Sequence, residues 1–144
     1  MNSKTLLAGL VGGVASFFLG WVIYGMLLKT WMEDPSNFNQ CMNILDMKDM
    51  VMWAMALGCV FIGLMLALVL NWANANSFMA GATKAGMFSV LMGLGYSLQM
   101  HAMTTTYAGG SSVLLIDVVV GTVMMSIVGG IVGWMLGRGN TTTA

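Results

Sequence analysis

The sequence predicts an all-α integral membrane protein, a four-helix up-down bundle with a short interfacial amphipathic helix between its first and second spans. Four long runs carry almost no charge, the connections joining the last three are short, and aromatic residues gather where the runs end. Bilayer hydrocarbon is about 30 Å thick, so a helix rising 1.5 Å per residue needs roughly 20 apolar residues to cross it. The runs 5–28, 51–72, 80–103 and 113–137 meet that length within one domain, 1–144. Their continuity argues against a barrel, whose lipid-facing strands alternate apolar and polar residues over about ten positions.

The first run exits through FFLGWVIYGMLLKTWM (17–32), with Trp21, Tyr24 and Trp31 towards one end and Lys29 and Glu33 closing it. Aromatic rings of this kind belong at the rim of a bilayer. The run is longer than the apolar core of a signal peptide and lacks a small-residue cleavage site, so it is expected to remain as the first span. Pro35, after Glu33 and Asp34, stops helix growth. Beyond it Phe38, Met42 and Leu45 recur at i, i+4 and i+7, which predicts a short amphipathic helix over 37–48 lying on the membrane surface.

The connections NWANANS and TTTYAGGSS are short and turn-rich, so consecutive helices are antiparallel neighbours. This order sets Trp31, Trp53 and Tyr107 at one interface and Trp72, Phe78 and Trp134 at the other. Lys84 falls near the start of the third run and reads as a side chain snorkelling to the surface. Lys4, Lys84 and Arg138 share one side against Lys29 and Lys48 on the other, which predicts both termini in the cytoplasm.

Composition supports lipid as the solvent. The chain is 58% hydrophobic and 7% charged, with mean hydropathy +0.86, whereas a soluble domain carries about 25% charged residues. Five basic and five acidic residues leave no net charge, which excludes a basic field for nucleic acid. Cys41 and Cys59 read as free thiols, and the 17 methionines, scattered through every run, read as packing filler.

Small residues four apart let helices approach closely in lipid. The first span has Gly12, Ser16 and Gly20, followed by Tyr24; the third has Ala85, Ser89, Gly93 and Ser97, followed by His101; the fourth has Asp117 and Gly121, then Gly129, Gly133 and Gly137. In an antiparallel order Tyr24, His101 and Asp117 lie at similar depth. An acid within a span costs about 2.5–3.5 kcal/mol on insertion scales and so faces the bundle and finds a partner. The expected polar intramembrane cluster pairs Asp117 with His101, with Tyr24 or Gln99 adding a hydrogen bond. Lys84 lies on the order of 15 Å from Asp117 along the membrane normal, too far for an ion pair. Such a cluster can simply satisfy polar groups and fix helix register, or it can handle ions or protons.

Enzyme chemistry has nothing to build on, and no cofactor or metal is expected. The sequence shows no phosphate loop, nucleophile with a base, zinc spacing or paired carboxylates within a span. Met100, His101 and Met103 suit Cu(I) by donor type but form one short cluster without cysteine, and a single histidine excludes bis-histidine haem within a monomer.

The motif G-x-x-x-Y-G then K-x-W-M in 17–32, together with LLIDVVVGTVMMSIVGGIVGWML (114–136), resembles the small bacterial four-helix membrane proteins grouped as domain of unknown function family 1761. Gly20, Tyr24, Gly25, Trp31 and Met32 match its first motif, and Asp117 and Gly130 its last. Val118, Val119 and Val120 stand where that pattern has a small residue and an aromatic. The resemblance implies a four-helix fold in the bacterial inner membrane and brings no activity or cofactor with it.

The expected function is that of a structural or accessory subunit meeting lipid and packing laterally, as a homo-oligomer or within a larger complex, through Gly129, Gly133 and Gly137. The alternative is a small transporter or channel subunit using Asp117 and His101.

Overall fold

The structure, a computed structural model, describes residues 3–38, 51–104 and 106–138. Within them the fold is all-α. Helix α1 (Ser3–Val22) runs into a π-helical turn (Ile23–Leu27), followed by the short α2 (Lys29–Glu33), α3 (Met52–Trp72), α4 (Phe78–Met103) and α5 (Ser111–Gly137). The amphipathic helix expected over 37–48 falls outside the described residues except at its first two positions, which form a turn and an isolated bridge.

Three stretches, Ser3–Leu27, Met52–Trp72 and Ser111–Gly137, are long and apolar enough to cross a membrane. The fourth expected run, 80–103, stands apart from these three. It forms a helix of 26 residues, about 39 Å at 1.5 Å per residue, but it is not among the helices that reach the necessary apolarity. Gly81, Gly86, Gly93 and Gly95, with Thr83, Lys84, Ser89 and Gln99, dilute it. Only part of this dilution is turned inward, since Thr83, Gly95 and Gln99 are exposed. Gly81, Ala85, Gly86 and Ser97 are buried, whereas Met87, Leu91, Met92 and Leu98 are exposed.

Local chemistry sets the helix ends. The Leu28 N–H reaches the Ile23 carbonyl at 2.8 Å, the i to i+5 bond of a π turn, so the first helix widens before it breaks. The break therefore comes ahead of Pro35, and only α2 ends there. Asp34 is extended, as a residue before proline must be, and its carboxylate accepts from the Ser36 N–H at 2.9 Å and hydroxyl at 2.7 Å. On α2, Lys29 and Glu33 form an exposed i, i+4 pair at 3.7 Å. At the start of α4, the Ser77 hydroxyl caps the Ala80 N–H at 3.2 Å. The Lys84 ammonium turns back to donate to the carbonyl of Ala73, just past α3. Before α5, Gly110 takes φ +70, a conformation that favours glycine.

The helices pair antiparallel. Gly9 lies against Leu64 and Gly13 against Val60, joining α1 to α3; Gly81 lies against Gly133 and Gly93 against Val118, joining α4 to α5. Gly12, against Val132, and Tyr24, facing Gly121, join α1 to α5. One end thus gathers the start of α1, the 73–77 turn and the end of α5, where Ala8, Leu70, Ala75, Val132 and Leu136 share a buried cluster. At the other end Tyr107, Val113, Leu114 and Val118 form a second cluster, against which Trp31, Phe38, Leu94 and Met100 pack.

The interior is made largely of small residues and the exterior of large apolar ones. Gly9, Gly12, Gly13, Gly63, Gly81, Gly129 and Gly133 are buried. Phe18 (59% exposed), Trp53 (73%), Leu91 (73%) and Trp72 (75%) face outward.

Candidate functional site

Asp117 is the only acid within a described long helix, and it sits near the start of α5. Tyr24, from the π-helical turn, donates its phenol proton to Asp117 Oδ1 at 3.4 Å. Tyr107, from the α4–α5 connection, reaches Asp117 Oδ2, also at 3.4 Å, and Ser97 Oγ at 3.2 Å. Each carboxylate oxygen therefore faces one phenol. Both contacts are long beside the roughly 2.5–2.7 Å of short charge-assisted bonds, so the clamp is a loose one. A phenol has a single proton, which Tyr107 donates to Ser97 or to Asp117; rotation of the Ser97 hydroxyl can supply the other hydrogen.

Tyr107 is aimed inward by its neighbours. It forms an antiparallel bridge with Phe38, and the Gly109 N–H donates to the Asn37 carbonyl at 3.1 Å. The Trp31 and Phe38 rings meet edge to face at 5.2 Å, and the Phe38 and Tyr107 rings lie 5.7 Å apart. These contacts leave Tyr107 8% exposed. Burial pushes its phenol above the ordinary value of 10.0; the Asp117 charge adds to the rise and the Ser97 hydrogen bond opposes it.

The pair expected between Asp117 and His101 does not form. His101 and Gln99 are both exposed, and no hydrogen bond joins either to Asp117. The buried face of α4 ends as Leu94, Ser97 and Met100, an i, i+3 line, while the expected line stepped by four from Ser97 to His101. Tyr107 takes the place beside Asp117 that the sequence assigned to His101.

The small residues divide into two groups. Gly12 and Ser16 are buried, Ser89 is half-buried, and Ser97 belongs to the site. A Cβ at Gly93 would meet Val118 at 3.5 Å and one at Gly121 would meet the Tyr24 hydroxyl at 3.8 Å, but one at Gly20 would meet nothing within 4 Å. Gly129 faces Gly81 and Ala85, Gly133 faces Gly81 and Ser77, and Gly137 faces Asn76. The chain's own α4 and the turn before it thus occupy the face that the sequence assigned to lateral contacts with a partner. Ser16 Oγ is buried without a hydrogen-bond partner among the described residues.

Tyr107 was missed as a site residue because helical spacing says nothing about a connection that folds back. The available signal was its position as the one aromatic in TTTYAGGSS, ten residues before the intraspan acid. Among the described residues no group of three His, Cys, Asp or Glu could hold a metal ion. Chemically, the arrangement is a carboxylate facing two phenols, one of which also bonds the Ser97 hydroxyl, a polar tie between the π-helical turn, α5 and the end of α4. In comparisons with protein-family models, curated proteins and solved structures, the chain shows no significant match.

Proposed function

We propose that this chain is an integral membrane protein, a four-helix up-down bundle acting as a non-enzymatic structural or accessory subunit in the bacterial inner membrane. The observation that carries the reading is the reversed layering of the fold, with large apolar side chains outside and glycine, alanine and hydroxyl groups inside. In water an exterior rich in Phe18, Phe61, Leu91 and Trp53 would aggregate; in lipid it is the solvated surface. The same layering supports α4 as the fourth span, since Gly81, Ala85, Gly86 and Gly93 turn towards α5. The resemblance to domain of unknown function family 1761 accords with this architecture, and both termini are placed in the cytoplasm.

Helices packed through glycine backbones need a fixed register, and the Tyr24–Asp117–Tyr107 tie supplies a directional contact that apolar packing lacks. With Gly129, Gly133 and Gly137 taken up inside the chain, contacts with other copies or subunits fall to outward faces such as those of Gly20 and Gly58, where a Cβ would meet nothing within 4 Å. The test is extraction of the protein at native abundance in mild detergent, with identification by mass spectrometry of what travels with it. A stoichiometric partner or homo-oligomer supports the reading; a lone monomer contradicts it.

The second reading, ion or proton handling, is favoured by one observation: Asp117 is only half-buried. It would run through Tyr24 and Tyr107, since His101 points away from the site. Loss of flux from vesicles in Asp117→Asn, with folding unchanged, would support it. A change in stability alone would remove it.

A further inference from the structure

The chain is neutral overall, yet its described acids keep to one end. Glu33 and Asp34, with Lys29 paired to Glu33, and Asp117 lie on the side that holds the tyrosine clamp. The opposite end carries Lys4, Lys84 and Arg138 and, among the described residues, no acid. Lys4 stands one turn before Ala8, which shares a buried cluster with Leu70, Ala75 and Leu136. Lys84 donates to Ala73, and Gly137, next to Arg138, abuts Asn76 in the same turn. Three cations from three elements therefore share one end of the molecule, with no acid beside them among the described residues.

Aromatic rings occupy the same end. Trp72 and Trp134 are exposed, and the Arg138 guanidinium lies over the Trp134 ring, 3.5 Å from its centroid. A guanidinium over an indole spends no N–H on the contact itself, so its donors stay available to oxygen acceptors. The Lys84 ammonium uses one of three protons on Ala73. Headgroup phosphate needs cations at this height, and acyl chains need indole and phenyl surface just below it.

We propose that this end, built from Lys4, Lys84 and Arg138 with Trp72 and Trp134, docks anionic phospholipid headgroups and so fixes the molecule against the anionic leaflet. The inference rests on the membrane reading given above and deepens it. Juxtamembrane basic residues favour anionic lipid by about fivefold each. The two ends of one chain are thereby distinguished, since the described acids, Glu33, Asp34 and Asp117, all lie on the other side.

The test uses the full chain in micelles containing equimolar phosphatidylglycerol and phosphatidylcholine, with the retained lipids counted by native mass spectrometry. Several-fold enrichment of phosphatidylglycerol is expected for the wild type. It should fall towards parity in the double variant Lys4→Gln/Arg138→Gln, which leaves the Lys84 bond to Ala73 intact, and persist in Lys29→Gln/Lys48→Gln. Circular dichroism confirms that each variant is folded. Parity in the wild type, or equal loss from both double variants, would overturn the docking proposal while leaving the membrane reading standing. Failure of the membrane reading is distinguishable: the protein would stay dispersed without detergent and retain neither lipid.

Discussion

Tyr24 and Asp117, 93 residues apart in the chain, meet where α1 and α5 pack, with the phenol donating to Oδ1 at 3.4 Å. Tyr107 closes on the other carboxylate oxygen at the same distance. The acid is thus held from two elements that apolar packing alone would leave free to slide. At these lengths, Tyr24→Phe and Tyr107→Phe should each cost about 1 kcal/mol, below the roughly 1.5–3 kcal/mol of a well-made bond to a charged acceptor. Unfolding in mixed micelles followed by circular dichroism measures it. Combining Tyr24→Phe with Asp117→Asn should cost less than the sum of the two, because they remove one interaction. Strict additivity would mean that the two groups do not interact.

Gly133 and Gly58 should respond oppositely to alanine. A Cβ at Gly133 would lie 2.7 Å from Gly81 Cα and 2.7 Å from the Ser77 carbonyl oxygen, so α4 and α5 must separate. Gly133→Ala is expected to cost about 1–3 kcal/mol, as overpacking does. At Gly58 nothing lies within 4 Å, and alanine should gain about 0.5–1 kcal/mol from helix propensity. The same unfolding measurement ranks the two.

Ser16 is 3% exposed and its hydroxyl has no partner among the described residues. A buried unsatisfied hydroxyl costs about 1–3 kcal/mol. Ser16→Ala should therefore raise stability, by about 1 kcal/mol after the small loss of packing. A thermal melt in detergent reads it, and a lowered midpoint would show that the hydroxyl is satisfied.

The Tyr107 phenol titrates above its ordinary value of 10.0, chiefly through burial. A raised value means that the folded state holds the proton more tightly than the unfolded chain does. Its stabilising share is therefore complete below pH 10 and is lost as pH climbs through the folded value. Chemical unfolding between about pH 9 and 11.5 should show this loss in the wild type and a shallower slope in Tyr107→Phe. Identical slopes would contradict the burial of Tyr107.

Much of the architecture was legible because a continuous apolar run of about 20 residues reads as one long helix. The helices at 3–27, 52–72 and 111–137 follow the apolar runs closely. The helix at 78–103 also follows its run, but it is the least apolar of the four, with Gly81, Ala85 and Ser97 buried and Leu91 and Met92 exposed. In the site, Tyr24 and Asp117 were legible from helix order and depth. Tyr107 was not, because its position depends on the bridge to Phe38 and the bond from Gly109 to Asn37, neither of which leaves a periodic trace. His101 was misplaced by assuming that α4 keeps one face towards α5 to its last turn. Gly129 and Gly133 show a further limit: small-residue spacing marks a contact face without saying whose helix covers it.

The central claim, that lipid covers the outward faces of these helices, is tested most directly by fractionation. Membranes from cells producing the full chain are washed at alkaline pH and then treated with detergent. The protein should stay in the pellet through the wash and enter solution only with detergent. Release by the alkaline wash as a monodisperse, detergent-free species would contradict the claim.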